Sequence, residues 1–209
     1  MKTGIMGGTF DPIHTAHLIL GESAREEYGL DTVLFMPTGN PPHKTARKGR
    51  ACSEDRLMMV RLAISGNPHF ECSDLEMQRS GFIYTWQTLE ILKEERPGDE
   101  FFFIIGGDSL KDFSSWRRPD KICENCTLLA AVRDGMSREE LDLRISEVRS
   151  KYGARIFELH TPNMDISSHM IRNMIGSGRS ARYYLPENVR EYILEKRIYF
   201  PDHPDTQET

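Results

Sequence analysis

His14 and His17 stand three residues apart, and the pair Gly7-Gly8 lies shortly before them. Imidazoles at that spacing fall near one face of a helix start, so both can point at one anion. Glycines let backbone N–H groups approach the anion, and a helix N-terminus adds partial positive charge. Amides, a helix dipole and two imidazoles together suit a phosphate. Lys44 offers a mobile positive charge in a loop stiffened by Pro41-Pro42. Arg47, Lys48 and Arg50 in the same stretch read as an ordinary solvated basic loop. Asp108 follows Gly106-Gly107. An acid just past a strand end can accept from ribose hydroxyls or cap the next helix. Ser168 can cap a helix and leave its first amides for an anion, with Arg172 one turn further on the same side. Cys123 and Cys126 have metal or redox spacing, but no second such pair follows. They read better as buried or neutral thiols.

The elements that must position these residues alternate. Strands are expected at Thr3–Met6, Asp31–Met36, His69–Ser73, Phe101–Ile105, Cys126–Val132 and Arg155–Leu159. Helices are expected at Thr15–Tyr28, from an N-cap at Ser53 to Ile64, and at Tyr84–Glu95. A capping box at Ser137 starts another to about Tyr152, followed by Ser168–Gly176 and Pro186–Lys196, the last with proline first. Such alternation predicts a doubly wound parallel sheet, an α/β fold closed by C-terminal helices. In such sheets ligands bind beyond the carboxyl ends of the strands. If the first strand and the Phe101 strand are neighbours, their loops line one crevice.

With 209 residues, a single domain over 1–200 with a frayed tail at 201–209 is expected. Apolar content of 38% and charged content of 28% suit a globular chain. A formal charge of −5 argues against nucleic acid as a partner, so a phosphate site must be a local positive pocket. No apolar run is long enough to span a membrane, and the N-terminus does not read as a signal peptide. A cytoplasmic location with four free thiols is expected.

The joint pattern Gly7-Gly-Thr9-Phe10-Asp-Pro-Ile-His14-x-x-His17 is more specific than its parts. It resembles the opening motif of the nucleotidyltransferases with a His-x-Gly-His signature, and most of all nicotinate-nucleotide adenylyltransferase. Ala16 stands where that family usually has glycine. Pro41-Pro42-His43-Lys44, Tyr84-Thr85, Ile105-Gly106-Gly107-Asp108 with Trp116, and Ile166-Ser167-Ser168-x-x-x-Arg172 look like further landmarks in the family's order. Asp134 replaces the proline of the family's Arg-Pro-Gly string, and His169 its threonine.

The resemblance implies adenylyl transfer from ATP to nicotinate mononucleotide in NAD biosynthesis, by direct in-line attack. It casts His14, His17, Lys44 and Arg172 as catalytic. ATP would contact Gly7, Gly8, Thr9, Phe10, His17, Gly106, Asp108, Arg133, Ile166, Ser167, Ser168 and Arg172. The mononucleotide would contact Asn40, Lys44, Tyr84, Thr85 and Trp116, whose flat indole suits a pyridine ring. Mg²⁺ would arrive with ATP, since no carboxylate cluster forms a cage for it. Two other readings stay open. One is a related transferase acting on nicotinamide mononucleotide or phosphopantetheine. The other is a non-catalytic nucleotide sensor, to which Ala16 and His169 are suited.

Overall fold

Phe101 to Ile105 are five consecutive buried apolar residues, and in the computed structural model they form the middle of a strand. The structure describes residues 1–39, 49–79, 81, 83–131 and 137–201. The strands are β1 (Lys2–Gly8), β2 (Thr32–Pro37), β3 (Phe70–Cys72), β4 (Glu100–Gly106), β5 (Thr127–Ala131) and β6 (Ile156–Leu159). They form one sheet in the order β3-β2-β1-β4-β5-β6. β1 pairs in parallel with β4, with Lys2 opposite Glu100 and Ile5 opposite Phe103. β4 pairs in parallel with β5, and β5 with β6. β5 is buried along its whole length, as a strand covered on both faces must be. The expected doubly wound parallel architecture is therefore present, and β1 and β4 are neighbours.

Eight helices are described: α1 (Thr15–Tyr28), α2 (Ser53–Ile64), α3 (Thr85–Glu95), α4 (Gly107–Lys111), α5 (Pro119–Asn125), α6 (Arg138–Tyr152), α7 (Ser168–Gly176) and α8 (Glu187–Glu195). α4, α5 and the short 3₁₀ turn Phe113–Ser115 have no counterpart in the sequence reading. Each is too short to show helical periodicity. Three caps differ from expectation. Cys52, not Ser53, caps α2, its Sγ accepting from the Asp55 amide at 3.4 Å. Ser167, not Ser168, caps α7 by accepting from the Met170 amide at 3.2 Å. Pro186 is the residue before α8 rather than its first helical residue. At α6 the N-cap is Ser137 as expected, its Oγ accepting from the Glu140 amide at 3.2 Å.

The chain divides into two compact units. The first comprises Met1–Met6, Ile19–Leu34 and Ile83–Asp165. Its core gathers Phe101, Leu128, Leu129, Phe113, Ile122 and Leu89. Cys123 and Cys126 are buried free thiols of this unit. The Cys126 thiol donates to the Ile122 carbonyl, and burial pushes its pKa well up. The second unit comprises Gly7–Leu18, Phe35–Phe82 and Ile166–Thr209, with a core of Phe10, Ile13, Phe35, Met59, Ile171 and Val189. Of the tail expected at 201–209, 202–209 lie outside the described residues. No described helix is long and apolar enough to cross a membrane.

Candidate active site

In the second unit β1 runs on through Gly7 and Gly8 rather than ending at Met6. The sharp change of direction falls instead at Phe10, whose φ of 47° lies in the left-handed region. The Phe10 ring is buried, meets His17 edge-on at 5.1 Å and lies 6.1 Å from Phe35. A Cβ on Gly8 would come within 3.1 Å of that ring. A side chain at Gly8 would therefore require the Phe10 ring to give by a few tenths of an ångström.

His14 and His17 are brought together as the spacing implied. Their rings stack at 3.7 Å with 27° between planes, and His14 is 1% exposed. The His17 amide donates to the His14 carbonyl at 2.9 Å. The His14 amide in turn donates to Nδ1 of the His17 ring at 3.2 Å. An amide N–H can only donate, so Nδ1 accepts and the neutral ring carries its proton on Nε2. His17 is therefore held as an Nε2–H donor, the form that can hydrogen-bond a phosphate oxygen.

The start of α7 is tied to the same loop. Ser168 Oγ donates to the Pro12 carbonyl at 2.8 Å, and Arg172 Nη1 to the Asp11 carbonyl at 2.6 Å. Ser168 is thus an anchor between α7 and the loop, while Ser167 serves the cap. His169 lies on the exposed side of α7 with Asn173, whose Nδ2 is 3.1 Å from its Nε2.

Three residues without a role in the sequence reading hold this region. Arg56 is 6% exposed, on the α2 face it shares with Met59, Val60 and Ile64. Its Nη1 donates to the carbonyls of Thr9 and Thr38, both at 2.8 Å. Nη2 reaches Gly39 O and Ser53 Oγ at 3.4 and 3.2 Å. Burial lowers its pKa, and the Asp11 charge opposes that. Asp11, 2% exposed, accepts on Oδ1 from the Ala51 amide at 3.0 Å and the Tyr199 hydroxyl at 2.8 Å. Burial, then Asp11, raise the Tyr199 pKa well above its ordinary value, so the phenol stays a neutral donor. An arginine on an apolar helix stripe is the signal that marks Arg56. Nothing local in Arg197-Ile-Tyr199 marks Tyr199.

In the first unit Tyr84 precedes α3, its amide donating to Gln87 Oε1 at 3.3 Å, and Thr85 opens the helix, half-buried. Gly106 is the residue before α4, and Asp108 lies exposed in its first turn. Trp116 is half-buried, edge-on to Phe103 at 6.1 Å and tilted against Phe113 at 5.5 Å. Asn40, Lys44 and Arg133, with Arg47, Lys48 and Asp134, lie outside the described residues.

The cytidylyltransferase-like family pattern matches residues 5–174. The chain is 44% identical over 198 residues to a probable nicotinate-nucleotide adenylyltransferase of Lachnoclostridium phytofermentans, covering 95% of this chain and 98% of that one. It is also 44% identical over 216 residues to a Geobacter metallireducens protein of the same description, covering 97% and 100%. In fold it resembles the Plasmodium falciparum nicotinic acid mononucleotide adenylyltransferase complexed with NaAD, with a TM-score of 0.75 at 20% identity over 95% of this chain and 98% of that one. The chain belongs to the cytidylyltransferase-like family and, by relatives of this identity over nearly its full length, to the nicotinate-nucleotide adenylyltransferases.

Proposed function

We propose that the chain transfers the adenylyl group of ATP to nicotinate mononucleotide, releasing pyrophosphate and forming nicotinate adenine dinucleotide for NAD biosynthesis. The observation that carries this reading is the His14–His17 pair, with His17 held as an Nε2–H donor, on the loop to which Ser168 and Arg172 are hydrogen-bonded. A phosphate oxygen of the mononucleotide attacks the α-phosphorus of ATP. The bond from that phosphorus to the bridging oxygen of the β-phosphate breaks, and pyrophosphate leaves with the electron pair. The attacking oxygen is already anionic at neutral pH, so no nucleophile from the protein is needed. The protein contributes position and charge. His14 and His17 hydrogen-bond the triphosphate, with His17 nearest the α-phosphate, Lys44 neutralises the approaching phosphates, and Ser168 and Arg172 hold the leaving group. The amides of Gly7 to Phe10 and of Ile166 and Ser167 serve the same ATP. In this reading Gly106, Asp108 and Arg133 serve the adenosine, and Asn40, Tyr84, Thr85 and Trp116 the mononucleotide.

The described residues hold no group of three or more His, Cys, Asp or Glu placed for a metal ion. A divalent ion, here Mg²⁺, would arrive with ATP, and the chemistry it would supply is to offset triphosphate charge. Residues 1–200 act as one nucleotidyltransferase domain, and four free cysteines support a cytoplasmic setting.

Pyrophosphate release from ATP and Mg²⁺ tests the reading, with nicotinate mononucleotide, nicotinamide mononucleotide and phosphopantetheine as acceptors. We expect kcat/KM for the nicotinate form to exceed the others by about 10⁴-fold, the scale on which polar groups matched to one substrate reject an analogue that leaves them unpaired. Turnover with only another acceptor overturns the substrate. ATP binding without turnover on any acceptor makes the chain a sensor.

A further inference from the structure

Arg50, expected from the sequence to be part of a solvated basic loop, is instead only 20% exposed and carries no role in the proposed reaction. Its Nε is 3.8 Å from Oδ2 of Asp11. Nη1 of Arg172 is 3.8 Å from that same oxygen. Both arginine side chains are 20% exposed, whereas the Asp11 side chain is 2% exposed. Oδ2 has no hydrogen-bond partner among the described residues, since 3.8 Å is too long for one. The carboxylate therefore holds the two guanidiniums loosely, by charge, without consuming their donors. Its other oxygen is fixed by the Ala51 amide and the Tyr199 hydroxyl, which set the position of the carboxylate.

Charge points the same way. Arg56 also acts on Asp11 electrostatically, so three guanidiniums surround one carboxylate. Tyr199 adds no negative charge. Two positive charges are left over in a region largely withdrawn from water, an arrangement that favours an incoming anion. Two forked guanidiniums flanking one point suit an anion with several oxygens and more than one charge. A polyphosphate has that chemistry, and a monocarboxylate does not.

We propose that Arg50 and Arg172 form a two-guanidinium clamp for the pyrophosphate end of ATP, with Asp11 and Tyr199 as the positioning residues that hold the clamp open. The assignment of the anion rests on the adenylyl-transfer reading. The clamp itself rests on the geometry around Asp11. Arg50 is then a second leaving-group ligand beside Arg172. Tyr199 links the C-terminal segment to the site through Asp11.

Calorimetric titration of the full chain with inorganic pyrophosphate, and separately with nicotinate mononucleotide, tests this without turnover. Arg50→Met should weaken pyrophosphate binding about tenfold, the scale of one charge-assisted contact, and Arg50→Lys should recover part of it. Tyr199→Phe should weaken pyrophosphate binding about threefold by loosening Asp11, with mononucleotide binding unchanged in all three variants. Wild-type pyrophosphate affinity in Arg50→Met overturns the clamp, as does equal loss of both ligands in that variant. Pyrophosphate binding that depends on Arg50, in a chain that turns over no mononucleotide, would leave the clamp standing and remove the adenylyl-transfer reading.

Discussion

The His14 backbone N–H donates to Nδ1 of His17 at 3.2 Å, and this one contact decides which nitrogen of the neutral His17 ring carries the proton. Nδ1 is occupied as an acceptor, so in the neutral ring the N–H is at Nε2, and the mechanism uses that nitrogen. His17→Ala should lower kcat by about 10²–10³-fold, the usual cost of losing one donor to a developing charge. His17→Gln places an amide near the Nε2 position and should keep more activity than His17→Asn, whose amide lies nearer Nδ1. Steady-state kinetics on the three variants decide it. A near-wild-type rate in His17→Ala, or a better Asn than Gln, contradicts the assignment.

Arg56 stitches the ends of β1 and β2 through the carbonyls of Thr9, Thr38 and Gly39. Arg56→Met keeps the apolar bulk but strands those acceptors, and should cost about 2–4 kcal/mol in stability. Arg56→Lys keeps the charge but not the fork, and should recover only part. Urea unfolding gives both numbers. A loss under about 0.5 kcal/mol in Arg56→Met, the range of an ordinary surface change, would mean the stitch carries no load.

His160 joins β6 to α1 inside the first unit. Its Nδ1 is 2.7 Å from Glu27 Oε1, and its amide donates to Glu27 Oε2 at 2.9 Å. Glu158 Oε2 lies 3.6 Å from Nε2, and Arg138 pairs with Glu158 at 3.2 Å. The hydrogen bond to Glu27 raises the His160 pKa above its ordinary value. A raised histidine pKa means that the folded state binds the proton more tightly. Its stabilisation is fully present below the unfolded value of about 6.5 and is lost as pH rises through the higher folded value. The melting temperature of the wild type should therefore exceed that of His160→Gln most at mildly acidic pH, and the gap should shrink above neutrality. A gap that is constant across that window, or that widens with pH, contradicts the ionic contact.

Much of the fold is legible in residue order because its signals are local. Phe101–Ile105 announces a buried strand, and Ser137 with Glu140 announces a helix start. α5 is not legible, since its seven residues give no periodicity and it starts after Arg118, a non-glycine residue with a φ of 54°. At the site, His14 and His17 can be read from spacing because one helix start places both. Asp11 and Tyr199 are 188 positions apart, and no local pattern links them. Ser168 misleads for the opposite reason. Two adjacent serines can each cap α7, and only the Pro12 carbonyl, distant in sequence, settles which one is drawn away.

The most direct test of the mechanism is the stereochemical course at the α-phosphorus. The chain would be given one diastereomer of ATP carrying sulfur on that phosphorus, together with nicotinate mononucleotide, and the configuration of the thio-substituted dinucleotide read by phosphorus NMR. A single in-line displacement inverts the centre, and inversion is the predicted result. Retention would require two displacements, hence a covalent adenylyl-protein intermediate, and would contradict an account in which His14, His17, Arg172 and Arg50 only position and neutralise charge.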